Sequence, residues 1–424
     1  MTAWTELASA LQGDLDQRLA SADAQLVRRF PGEAATRQPV HTVYVPADRY
    51  HAGLVDEWGS QALAVVDQHP ATYAEVIAGA TGDDPEQLTS LVLAKLGREP
   101  IEDLRIDFED GYGNRGDEAE DADVARAARA LAEAQAGGAG TPFAGIRFKS
   151  LEAPTRHRGI RTLTGFVSTL LEAGGTLDGF WVTLPKITSV DQVQAMVAMV
   201  DRLEESLSLP AGSLRFELQI ETPQSILGPD GTSLVARMIQ AGAGRVTALH
   251  YGTYDYSAFC AIPAAYQSME HPVADFAKLV MQAAAAGTGV RLSDGSTNVL
   301  PVGDEEDVRR AWALHLRLVR RSLERGYYQG WDLHPAQLPT RFAATYAFYR
   351  EGFQAAASRL RAYLELVTGT ASSESKIADE PATARALSDF IMRGVDCGAL
   401  TPAEVTGSTG LDAPGLARLA RPGR

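Results

Sequence analysis

Eight short segments rich in Val, Ile, Leu, Phe and Tyr punctuate the 424-residue chain, beginning at residues 41, 104, 143, 179, 215, 245, 289 and 330. They read HTVYVPA, LRIDFED, FAGIRFKS, GFWVTLPKI, RFELQIE, RVTALHYG, GVRLSDG and GWDLHP. Most starts lie roughly 30 to 45 residues apart, the length of a strand, a helix and two loops. Eight such units make an α/β chain of the (β/α)8 TIM-barrel class. The stretches between them carry the helical period. In DVARAARALAEAQAGG and VDQVQAMVAMVDRLEESL apolar residues recur every three or four positions, and a Gly-Gly pair stops the first. A doubly wound open sheet is the rival architecture, but VPADRYHAG follows the first strand where a Gly-rich phosphate loop would be required.

The flanks add helices. A barrel with an N-terminal helical extension and an insert near residues 56–100 is expected over residues 1–367, with a C-terminal helical appendage, an arm or lid, over 368–424. The insert contains TGDDPEQLTSLVLAKLG, which reads as an extra helix, and FAATYAFYREGFQAAASRLRAYLELV reads as a helix after the eighth strand. In the tail, TGTASSES has linker composition. DEPATARALSDFIMRG has Pro near its start, Leu387, Phe390 and Ile391 on one face, and Gly394 as its expected stop. TPAE has capping-box spacing for one more helix.

Composition narrows the partners. A 45% hydrophobic content suits a large buried core, and no run approaches the roughly 18 uninterrupted apolar residues of a membrane span. The opening MTAWTELASALQGDLDQ lacks a basic stretch followed by an apolar one, so a cytoplasmic location is expected. Two isolated cysteines, Cys260 and Cys397, form neither a disulfide framework nor a thiolate metal site. A net charge of -15 disfavours nucleic acid and anionic membrane, which require a basic footprint. Small molecules and further copies of the chain, as a homo-oligomer, remain as expected partners.

In a barrel the C-terminal strand ends face the active site. The second segment ends in DFEDG, giving Asp107, Glu109 and Asp110; the third carries Arg147 and Lys149; LPKI puts Lys186 at the end of the fourth. The fifth ends at Glu221 directly before Thr-Pro, and the sixth runs into HYGTYDYS, giving Asp255. A carboxylate closing an otherwise core-like strand costs solvation free energy unless something pairs with it. Glu221 and Asp255, on adjacent strands, would share a divalent ion. Hard oxygen ligands with few protein contacts suit Mg2+, with Mn2+ as the alternative, rather than Zn2+. Plainer readings stand beside this one. DFEDG could be a capped turn, and Lys149 and Lys186 could be neutralising or surface charges. Arg156, His157, Arg158 and Arg161 of PTRHRGIR either grip a phosphate or CoA tail or pair with the acidic surface. The strand histidines His41, His250 and His334 are read as satisfied by backbone groups.

In order, DFEDG, IRFKS, LPKI, LQIETP, HYGTYDYS and DLHPAQ resemble the strand-end motifs of the citrate lyase β-subunit-like branch of the HpcH/HpaI aldolase family, within the phosphoenolpyruvate/pyruvate barrel group. The likeness runs from about Val43 to Gln337. It implies a Mg2+-dependent carbon-carbon lyase or condensing enzyme that works through an enolate of a short 2-oxo acid of the pyruvate, glyoxylate or oxaloacetate type. An acyl-CoA is a second partner in some members. By motif, Glu221 and Asp255 inherit the metal-ligand roles and Arg147 the oxo-acid carboxylate or enolate oxygen; Lys149 and Lys186 are the other candidates for binding acid groups. KIADEPATARA resembles the element that brings an acid over a neighbouring subunit's site, which falls on Asp379. Asp110, Glu109 and Asp379 are the candidates for the general acid/base. The chain departs from the pattern in having Arg115 as the only base soon after the acidic motif and in its greater length, which marks a divergent subfamily. Three alternatives remain: a Schiff base on Lys149 or Lys186, a metal-binding barrel subunit that needs a partner for turnover, and a thioester hydrolase on the same scaffold.

Overall fold

The structure, a computed structural model, describes residues 2–34, 36–79, 84–367 and 380–420. The eight expected segments form eight strands: β1 (His41–Pro46), β2 (Asp103–Asp107), β3 (Phe143–Arg147), β4 (Phe180–Leu184), β5 (Arg215–Ile220), β6 (Val246–Tyr251), β7 (Arg291–Ser293) and β8 (Gly330–Asp332). They pair in parallel in the order β7-β6-β5-β4-β3-β2-β1-β8. Ser293 bridges to Gln329 just ahead of β8, and the Asp294 amide donates to the Gln329 carbonyl at 2.8 Å, so the sheet nearly closes into a barrel.

Each strand sorts its residues by the two-residue period. Val43, Val45, Leu104, Ile106, Ile146, Val182, Leu218, Ile220 and Leu249 are buried within one apolar cluster shared with the surrounding helices. The alternate positions meet across the barrel and are polar. Arg105 donates from Nη2 to Glu217 Oε1 at 2.7 Å and from Nη1 to Asp103 Oδ1 at 2.6 Å, all three residues being fully buried. His250 Nε2 lies 3.1 Å from Glu217, and the Trp331 indole N–H donates to His250 Nδ1 at 2.9 Å. Branched aliphatic layers usually fill such an interior; here a charge network does. Burial alone would raise the Glu217 carboxyl pKa, but Arg105 and His250 outweigh it and hold the group well below the usual carboxylate range.

Among the described residues the helix Ala3–Arg29 precedes the barrel and buries none of its side chains, and Pro85–Arg98 forms the expected helix of the insert. The helix Asp117–Ala136 ends at Gly137, as the Gly-Gly pair requires. The long helix Leu338–Val367 carries the tail. Helices Pro381–Asp396, Pro402–Thr409 and Ala413–Ala420 pack on its second half around Phe353, Leu360, Ile391, Leu400 and Leu416. Thr401 and Glu404 form the expected capping box, with both reciprocal bonds present. Gly394 does not stop its helix, which continues to Asp396. A Cβ at that position would sit 2.7 Å from Leu400 Cδ1, so the glycine serves close packing, and the left-handed turn falls on Gly398 instead. The TGTASSES stretch lies outside the described residues. No helix among the described residues is long and apolar enough to cross a membrane.

Removing the Arg105 guanidinium leaves two buried carboxylates without their counter-ion. Arg105→Met is expected to destabilise the fold by about 3 to 5 kcal/mol, measured as a lowered urea midpoint with the slope unchanged.

Candidate functional site

The C-terminal ends of β2, β3, β4, β5 and β6 bring most of the expected residues together. β2 ends at Asp107, whose carboxylate accepts from the backbone amides of Glu109 at 3.0 Å and Gly111 at 2.9 Å. That turn sets Glu109 and Asp110 at the rim. β3 ends at Arg147, which clasps Asp107 with two bonds, Nε to Oδ1 at 2.7 Å and Nη2 to Oδ2 at 2.6 Å. The remaining Arg147 nitrogen, Nη1, is loosely held, 3.4 Å from Gln219 Oε1 and 3.5 Å from Glu109 Oε2. The Tyr44 ring lies 4.8 Å from this guanidinium. Arg147 is therefore a buried cation whose Nη1 is only loosely held, between Gln219 and Glu109.

Glu221 follows β5 and is 1% exposed. Gln219, two residues back on the same strand face, donates to Glu221 Oε2, and the Lys186 backbone amide donates to Oε1 at 2.7 Å. Thr222 caps the turn that follows, where Pro223 opens a short helix. The neighbouring strand end comes close because Gly252 has no side chain: a Cβ there would sit 2.5 Å from the Glu221 Cβ. Asp255 stands not on β6 itself but in the first turn of the helix Thr253–Phe259.

The Lys186 ammonium lies among these acids, 2.9 Å from Asp110, 2.9 Å from Asp255 and 3.2 Å from Glu109. Its backbone takes a left-handed φ of 51°, which turns the amide toward Glu221 and the side chain toward the rim. Burial would lower its pKa, but Glu221, Glu109 and Asp110 outweigh burial and hold it above the ordinary lysine value. Glu221 is pushed up to about 8, chiefly by burial and then by Asp255 and Glu109, against the pull of Lys186. Glu109 is pushed up to about 7 by burial and by Asp110, although Arg147 and Lys186 oppose the rise. Asp110 is more exposed and moves the other way, because its hydrogen bond to Lys186 outweighs its burial.

Lys149 is not part of this cluster. β3 stops at Arg147, and Lys149 turns aside to Glu120 at 2.6 Å and the Phe108 carbonyl at 2.8 Å. Asp379 lies outside the described residues. Arg158 and Arg161 pair with Asp121 at 2.7 and 2.6 Å, which agrees with the reading of PTRHRGIR as a face matched to acids. His41 pairs with Asp332 and His250 with Glu217, so both belong to the buried interior. Sequence reasoning missed Gln219 and Tyr44. The two-residue period that puts Gln219 on the face of Glu221 was the signal for the first.

A family model, described as a domain of unknown function (DUF6986), matches residues 19–423. The chain belongs to the DUF6986 family. No curated protein matches this DUF6986 chain by sequence. Among solved structures it resembles a citrate lyase from Burkholderia xenovorans LB400, with 20% identity and a TM-score of 0.54, covering 91% of this chain and 97% of that one. It also resembles Haloferax volcanii malate synthase in a ternary complex with pyruvate and acetyl-CoA, with 14% identity and a TM-score of 0.51 over 92% of this chain and all of the other. The magnesium/glyoxylate complex of the same synthase gives 14% identity and a TM-score of 0.50. These likenesses establish the barrel fold that the DUF6986 chain shares with them.

The raised carboxyls give a pH dependence of definite sign. Their folded pKa values lie above the ordinary 4.5, so their contribution to stability is complete below about pH 4.5 and is lost as pH rises through about 7 and about 8. In EDTA the melting temperature should fall as pH rises from about 4.5 to about 8 and level off above that. Glu221→Gln, which has no charge to bury, should make that fall shallower. An equally steep fall in the variant would remove Glu221 from the account.

Proposed function

We propose that this chain is a Mg2+-dependent carbon-carbon lyase or condensing enzyme acting on a short 2-oxo acid, with Glu221 and Asp255 as the metal ligands. The observation that carries the reading is the convergence of Glu109, Asp110 and Asp255 on a single cation position beside buried Glu221, with the loosely held Nη1 of Arg147 close to Glu109. The residues fit the ion. The donors are carboxylate oxygens, and the buried Glu221 charge is undercompensated, as its raised pKa records. Among the described residues no group of three or more His, Cys, Asp or Glu is arranged to enclose a metal. Two carboxylates that leave the other positions to water and substrate suit Mg2+ better than a closed cage would. When bound, Mg2+ would supply Lewis acidity toward the carbonyl and carboxylate oxygens of the substrate. The Haloferax malate synthase, solved with magnesium and glyoxylate on the same fold, agrees with this choice.

The protein's own groups account for the rest. Arg147, locked in orientation by Asp107, presents Nη1 to a substrate carboxylate or to the developing enolate oxygen, a fixed cation in a buried site. In the cleavage direction the hydroxyl proton must leave as the carbon-carbon bond breaks and its electron pair moves onto the carbonyl oxygen. Glu109 is the better acceptor. It stands 3.5 Å from Arg147 and 3.2 Å from Lys186, and with a pKa near 7 it takes and returns a proton at neutral pH, whereas Asp110 stays ionised. The Schiff-base alternative is disfavoured, because Lys186 is held protonated and Lys149 is bound to Glu120.

The reading is tested by assaying aldol cleavage and condensation with pyruvate, glyoxylate and oxaloacetate, with and without acetyl-CoA. Turnover should require Mg2+, vanish in EDTA and be lost in Glu221→Ala; Arg147→Met should lower kcat by about 10²- to 10³-fold. Turnover that survives EDTA, with inactivation by borohydride in the presence of substrate, would overturn it.

A further inference from the structure

The opposite end of the barrel carries an unmatched concentration of positive charge. A cavity of about 240 Å3 opens at the N-terminal ends of β4 to β7. Trp181 of β4, Arg215 at the start of β5, Val246 at the start of β6 and Arg291 at the start of β7 line it, and Arg28 and Arg29 reach it from the end of the N-terminal helix. None of its lining residues is acidic. No ion pair joins any of the four arginines to a carboxylate among the described residues, although the chain carries 54 acidic against 39 basic side chains.

Arg291 is the deepest of the four. One of its nitrogens, Nη2, is fixed by Thr36 through the backbone carbonyl and Oγ1, and its guanidinium lies 5.8 Å from the centre of the Trp181 indole. Burial lowers its pKa to about 10 and repulsion from Arg393 adds to the effect, against the smaller opposing pull of Asp396, Asp103 and Glu217. The acids around this guanidinium therefore do not make up for its burial, and its positive charge is only partly compensated. The adjoining cavity of about 670 Å3 differs in this respect: there Glu33 and Asp389 stand among Arg291, Arg385 and Arg393.

Helix chemistry accounts for only part of this. Arg28 and Arg29 lie in the last turn of their helix, where cations complement a macrodipole of about half a charge. That explains neither Arg215 nor Arg291, which belong to strands, and half a negative charge does not balance four positive ones. Like charges converging on one cavity repel each other, the more so where one of them is buried as Arg291 is. A ligand of the opposite sign removes that cost, and the guanidinium fork is shaped for phosphate and carboxylate oxygens.

We infer that this cavity binds a compact multivalent anion bearing phosphoryl or several carboxylate groups, gripped by Arg28, Arg29, Arg215 and Arg291 beside the Trp181 ring. The site is remote from the mouth, so its ligand would be a regulator or stabiliser and not the molecule being transformed.

Isothermal titration of the full chain, stripped of metal and dialysed free of chelator, with pyrophosphate and citrate as probes, tests this. One equivalent of at least one probe should bind, and the affinity should fall as salt screens the charges. The double variant Arg28→Gln/Arg29→Gln and the single variant Arg215→Gln, all at exposed positions, should each weaken binding at least about fivefold while leaving the melting temperature of the free protein unchanged or higher. Glu221→Gln, at the mouth, should bind like the wild type. A preference for pyrophosphate assigns a phosphoryl ligand and a preference for citrate a polycarboxylate, and either supports the site. The absence of saturable binding by both probes, or binding that is unchanged in the arginine variants, would overturn the inference.

Discussion

The fully buried ion pair between Arg105 and Glu217 is the interaction around which the barrel is arranged. Burying a guanidinium costs several kcal/mol and is tolerated only where carboxylates and further hydrogen bonds meet it. Asp103, Thr183 and His250 complete that set, so strands β2, β4, β5 and β6 are tied to one another at a fixed height in the barrel. β5 cannot then slip by one residue, because a slip would send Glu217 out and an apolar side chain in. The same register places Gln219 and Glu221 on the inner face, each two residues farther toward the mouth. Arg147 stands at the next level beside Asp107, itself two residues along β2 from Arg105. The interior is a polar column whose lower part fixes the strands and whose upper part is available for chemistry.

The parts of this that the sequence makes legible are those in which local pattern and tertiary context agree. Eight strands are readable because each is a short run of β-forming residues bounded by loops, and the polar strand ends are readable because a barrel gives its two ends different meanings. The charge column is not. Arg105 in LRIDFED and Glu217 in RFELQIE alternate with apolar residues, which reads equally well as a strand with one face in water. Only closure of the sheet turns that face inward. Lys149 shows the complementary failure. The two-residue period places it beside Arg147 only if the strand continues, but β3 ends at Arg147 and the side chain finds Glu120 on the following helix. Gly394 fails for a third reason: a glycine read as a helix stop can equally mark a close approach, and the nearness of Leu400 is not a local property.

The two ends of the barrel are electrostatic opposites. The mouth holds Glu109, Asp110, Glu221 and Asp255, while the base gathers Arg28, Arg29, Arg215 and Arg291 around one cavity. Net charge conceals this division, because a total of -15 describes the bulk surface and neither site. It does identify which site is exceptional. Acids in excess at the mouth follow the composition, whereas four cations without an acid among the lining residues run against it.

At the mouth, Arg147 is matched with Asp107 and leaves Lys186 to face four carboxylates: Glu109, Asp110, Glu221 and Asp255. One positive charge among four negative ones leaves an excess of three. Two carboxylates about 4 Å apart at an effective dielectric near 20 repel by about 4 kcal/mol, so the cheaper state takes up protons. This repulsion adds to burial, the larger cause, in raising Glu109 and Glu221 toward neutrality although each has a cation nearby. A divalent ion would relieve the same excess without protons, and its binding would expel them. Lys186 is suited to both states because its two polar groups act separately. Its amide, aimed by a left-handed backbone that costs of the order of 1 kcal/mol or more, keeps Glu221 in place, while its ammonium is on a long flexible stem. Were a divalent cation to bind as proposed, displacement of the ammonium would leave the carboxylate held by the Lys186 amide.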